Sequence, residues 1–140
     1  MIAILPFVLD KKSNAIMHVL TCKDDIIDRS SVLFILHPEK ADSEAVFKFL
    51  KDKFKISIKE DDKMDFLNNL FYLGELASTQ ENTSNIIPLY GINITSFIKN
   101  INAESLKDLY EVTPYPNLVK DANLDINLAA SLFMLVSYLA

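Results

Sequence analysis

The sequence predicts a single domain of mixed α/β (α+β) class, and three observations lead there. Its 140 residues match the usual size of one domain. Half of them are apolar, enough for a real core, and the charged fraction of 24% is ordinary. Short apolar runs that read as strands are interleaved with segments of helical spacing, which is the pattern of a mixed α/β chain. No linker, repeat or low-complexity stretch divides residues 1–140.

Ile2 to Leu9 is rich in Ile, Leu, Val and Phe and reads as a strand. The polar DKKSN, Asp10 to Asn14, turns the chain into a second strand, Ala15 to Cys22, and the two form an antiparallel hairpin. Lys23 to Ser31 is a polar connector, and Val32 to Leu36 is a short, fully apolar strand. A helix follows from Ala45 to Ile56, with Asp42 or Ser43 as its N-cap and Ala45, Val46, Phe49, Leu50 and Phe54 as its apolar stripe. Phe47 falls off that stripe, at a boundary or an interface. Ser57 to Asp65 is acidic and loop-like. Phe66 to Leu76 reads as extended, although its spacing also permits a helix. Ala77 to Asn85 is a loop, and Ile86 to Ile94 is a strand with Pro88 near an edge or bulge. Ala103 to Tyr110 is a short helix candidate, Pro114 and Pro116 punctuate a loop, and Asp125 to Leu139 is the final helix.

Charge and composition exclude several functions. The net charge is −5, Arg29 is the only arginine, and no lysine run exceeds Lys11-Lys12, so a nucleic-acid surface is not expected. The single cysteine, Cys22, allows no intrachain disulfide and fits a reducing, cytoplasmic setting. The apolar start lacks basic residues and reads as a strand, not a signal peptide. The apolar run from Leu128 to Ala140 falls short of the roughly 20 residues that cross a bilayer, so no membrane partner is expected.

Few side-chain sets carry chemistry. His18 and Cys22 share one face of a strand, but two ligands do not make a metal site. His37 has no Ser or Cys nucleophile placed with it by the sequence. Neither Asp24, Asp25 and Asp28 nor Glu60, Asp61 and Asp62 has the glycine and glutamate spacing of a calcium loop. Gly74 and Gly91 stand apart, so no glycine loop cradles a phosphate. Tyr72, Tyr90, Tyr110 and Tyr115 are candidates for a ligand cleft, though core packing is the commoner fate of tyrosine. The final helix is apolar on most sides. Leu128, Leu132, Phe133, Leu135, Val136 and Leu139 therefore predict a protein partner or a homo-oligomer.

The segment AVFKFLKDKFKI, Ala45 to Ile56, resembles the AAxRELxEExGI helix of Nudix hydrolases in length and apolar spacing. FYLGELASTQENTSNIIPLYGINIT is similar to that family's strand–loop–strand with a glycine-containing turn, and KDANLDINLAASLFMLVSYLA to its terminal helix. The resemblance implies a mixed β-sheet sandwiched between helices. It places Lys48 on the motif's arginine, Phe49 on the first helical glutamate, Asp52 and Lys53 on the paired glutamates, and Lys55 on the last glycine. Upstream, Lys40 falls on a further glutamate, or Glu39 does with one gap.

A Nudix enzyme would hold magnesium with those carboxylates. Here only Asp52 and Glu39 remain as weak ligand candidates, phenylalanine cannot ligate, and lysine repels a cation. The expectation is a Nudix-like protein without a catalytic site or cofactor, used as a structural or interaction module. The compact chain, rich in Lys, Asn and Ile, is also compatible with a phage protein and a virion location. Two rivals remain. One is a divergent magnesium-dependent hydrolase of nucleoside diphosphate derivatives, using Glu39, Asp52 and some of Glu60, Asp61 or Glu81. The other is a nucleotide or small-ligand sensor that keeps the cleft.

Overall fold

A computed structural model of the chain describes residues 1–23, 31–39, 42–77, 86–102, 106 and 110–140. The expectations at Asp24, Asp25, Asp28, Lys40 and Glu81, and nearly all of the helix over 103–110, lie outside these residues.

The described residues form a mixed α+β fold around one sheet. The first strand, β1 (Ile2–Leu9), is its centre. On one edge it pairs in parallel with β6 (Ile86–Asn93), which pairs antiparallel with the outer strand β5 (Leu70–Ala77). The other edge of β1 is shared. β4 (Phe34–Leu36) pairs with Ile2 to Ile4, and β2 (Ile16–Lys23) pairs with Phe7 to Leu9 as the expected hairpin. Pro6, which has no N–H to offer, sits where β4 gives way to β2. The expected strand from Val32 to Leu36 is thus two pieces. β3 (Ser31–Val32) pairs with β2 before β4 crosses to β1, with Leu33 between them. Pro88 lies one residue before the pairing of β6 with β1 begins at Leu89, so its missing N–H costs that ladder nothing.

The period-2 alternation of β1 divides the interior. Ile2, Ile4 and Val8 enter one core, while Ala3, Leu5 and Phe7 enter the other. The first core is closed by α1 (Asp42–Phe54) through Val46, Phe47, Leu50 and Phe54. The second is closed by α4 (Ile126–Leu139) through Leu128, Leu132 and Leu135. Helices therefore cover both faces of the sheet.

Several expectations are corrected. α1 begins at Asp42, so Asp42 and Ser43 stand within its first turn and neither is its N-cap. The acidic segment is not a loop throughout. A 3-10 turn over Glu60–Asp62 leads into α2 (Lys63–Leu67), and extended structure starts only at Leu70. Phe66 of that short helix covers Phe47 of α1 and meets it edge-on at 5.9 Å, so Phe47 is only 7% exposed and not at a boundary or interface. Tyr110–Pro114 is not a loop but β7, paired antiparallel along β2, and Tyr115–Val119 is a short helix, α3, with Pro116 in its first turn. Both glycines lie within strands and neither forms a turn. Gly74 marks a register shift in β5, where an added Cβ would stand 2.9 Å from Met134 Sδ of α4. At the start of α4, Asp125 is the cap, its Oδ2 accepting from Leu128 N–H at 3.1 Å.

Candidate functional site

α1 and the segment after β4 bound an open groove of about 600 Å³. Leu36, His37, Pro38 and Glu39 form one wall. Along α1 the groove meets Glu44, Ala45, Lys48, Phe49, Asp52 and Lys53. The positions singled out by the motif, Lys48, Phe49, Asp52 and Lys53 with Glu39 upstream, thus come together in one concavity. Their helical spacing explains this, because residues three and four apart share a face.

The groove's floor and rim differ in kind. Phe49 is half-buried, with its ring 5.0 Å from that of Phe34 and in contact with Phe54 and Tyr110. It is a packing residue that extends the first core into the groove. Lys48, Asp52 and Lys53 are exposed, as are His37, Glu39 and Glu44. Glu44 was not singled out from the sequence, although it lies four residues before Lys48 and eight before Asp52 on the same face. Its carboxylate accepts a hydrogen bond from Lys63 Nζ at 2.8 Å. That bond raises the Lys63 pKa above its ordinary value, against the opposing effect of desolvation. Lys63 also stands 4.8 Å from the centre of the Phe47 ring. Glu44 is therefore already engaged in holding α2 to α1.

Among the described residues, the groove offers a divalent cation few ligands. Magnesium requires several oxygen ligands in near-octahedral order. Among the described residues, no three His, Cys, Asp or Glu side chains converge in a group that could hold a metal. Glu39 and Asp52 share the groove with two ammonium groups, which oppose a cation electrostatically. Glu60 and Asp61 are exposed on the 3-10 turn and are not part of the groove's lining.

The remaining candidates are dispersed. None of the tyrosines lines the groove. Tyr110 stacks into the Phe34, Phe49 and Phe54 cluster, and Tyr72 meets Tyr90 edge-on across β5 and β6. Tyr115 packs against the second core. His18 lies on β2 beside a second depression of about 590 Å³, rimmed by Lys11, Lys12 and Lys99. Cys22 is half-buried on the same strand.

The six residues expected at a partner interface divide in two. Leu128, Leu132 and Leu135 are at most 5% exposed and pack the second core, because that side of α4 faces the sheet. Phe133 and Val136 do face outward, as does Ile126, while Leu139 is exposed at the helix end and Tyr138, although 58% exposed, stacks on Phe71 of β5 at 4.6 Å. No helix among the described residues is long and apolar enough to cross a membrane.

No protein-family profile, curated protein or solved structure matches the chain.

Proposed function

We propose that the chain is a Nudix-like scaffold without hydrolase chemistry, serving as a structural or protein-interaction component of a larger assembly. The observation that carries this reading is Phe49. The resemblance puts it on a ligand glutamate, and on the groove its ring is committed to the aromatic cluster of the core. The conformation of Lys55 supports the motif's register. The family has glycine there, and Lys55 has φ 55°, the left-handed region that glycine enters freely. The outward side of α4 supports the interaction role, since Phe133 is 75% exposed on a helix with no charged residue.

The test is phosphate release from a broad panel of nucleoside diphosphate derivatives with magnesium or manganese. The expected result is no turnover above buffer. Turnover that disappears in Asp52→Asn would instead establish the divergent hydrolase.

One observation favours a second reading, a small-ligand sensor. The groove places Lys48, Lys53 and His37 beside the aromatic Phe49, which suits an anionic ligand with a flat ring. A nucleotide-dependent rise in Tm that is lost in Lys53→Ala would support it, and an unchanged Tm across the panel would remove it.

A further inference from the structure

We infer that α4 pairs antiparallel with α4 of a second copy of this chain. The inference rests on the interaction reading above and names its partner.

The outward stripe of α4 has the spacing of a helix-pairing seam. Ile126, Ala129, Phe133 and Val136 follow one another at steps of three, four and three, the repeat that keeps a stripe facing another helix. All four are exposed, Ile126 at 76%, Phe133 at 75% and Val136 at 44%. The opposite side of the same helix is already filled by the domain's own core. The stripe is therefore additional to what the fold requires.

Size and charge select the occupant. In an antiparallel pair, the first and second positions of the repeat face each other across the seam. Phe133 then meets the small Ala129 of the second copy, and Ile126 meets its Val136. The large ring gains a hole, and each helix supplies both halves, as a two-fold interface demands. No charged side chain interrupts Ile126–Leu139, so a chain with a net charge of −5 can bring this surface against itself without opposing like charges in the seam. Antiparallel alignment also sets the positive end of one helix dipole beside the negative end of the other. A seam of about three turns is smaller than a standard interface, so the pairing should be concentration-dependent, in about the micromolar range.

Sedimentation of the full chain tests this. The mass should rise from 15.9 kDa toward twice that value as concentration increases. Ala129→Lys and Phe133→Glu change exposed positions, so each variant should fold. Each alone should stay monomeric, and an equimolar mixture should recover a heterodimer through the opposed Lys and Glu. A wild-type chain that stays monomeric at all concentrations overturns the inference. So does a dimer unaffected by either variant, or a mixture that remains monomeric. None of these outcomes bears on phosphate release, so self-pairing can fail while the non-catalytic reading stands.

Discussion

Thr21 and Thr113 are buried on adjacent strands, β2 and β7, and their hydroxyls lie 2.7 Å apart. Each satisfies the other, so removing one leaves a buried hydroxyl without its partner. Thr113→Val or Thr21→Val alone should cost about 1–3 kcal/mol, and the double substitution should cost less than either single one. Urea denaturation of the four proteins reads this directly. Lys55 poses the opposite case, because its φ of 55° is unfavourable for a residue with a Cβ. Lys55→Gly should stabilise the chain by about 0.5–1 kcal/mol in the same assay, since left-handed backbone costs a non-glycine residue roughly 1–2 kcal/mol. The resemblance to the Nudix motif put Lys55 on a glycine position, whereas the left-handed Asn14 of the first hairpin was legible only as part of a polar turn.

At the scale of elements, legibility followed how locally each one is determined. β1, β2, β6, α1 and α4 carry their own periodicity, so their positions were close to those expected. β7 has five residues and is organised by pairing with β2, which no local pattern reveals. α2 has five residues and reads as acidic loop until Phe66 is seen closing over Phe47. The orientation of α4 was the other gap. A helix apolar on most sides does not say which side the sheet takes, and only the structure assigns Leu128, Leu132 and Leu135 inward. That assignment sets two expectations. Leu135→Ala should destabilise the domain by about 2–5 kcal/mol, as expected for truncating a fully buried leucine. Phe133→Ala should change monomer stability by less than about 0.5 kcal/mol, the usual range for an exposed site. Denaturation at a protein concentration low enough to keep the chain monomeric compares the two.

At the scale of the whole molecule, the sheet with a core on each face holds α1 so that its motif positions border one groove. The resemblance to the Nudix motif singled out Lys48, Phe49, Asp52, Lys53 and Glu39, and helical spacing explains why those on α1 border one groove, but neither pointed to Glu44. The sequence could not show that Phe49 is tied into an aromatic cluster, because Phe34, Phe54 and Tyr110 converge on it from three separate elements. We propose that this groove holds no catalytic divalent metal. Calorimetric titration with manganese to millimolar concentration measures that most directly. No saturable binding is expected. A saturable site that is lost in Asp52→Asn and Glu39→Gln would contradict it.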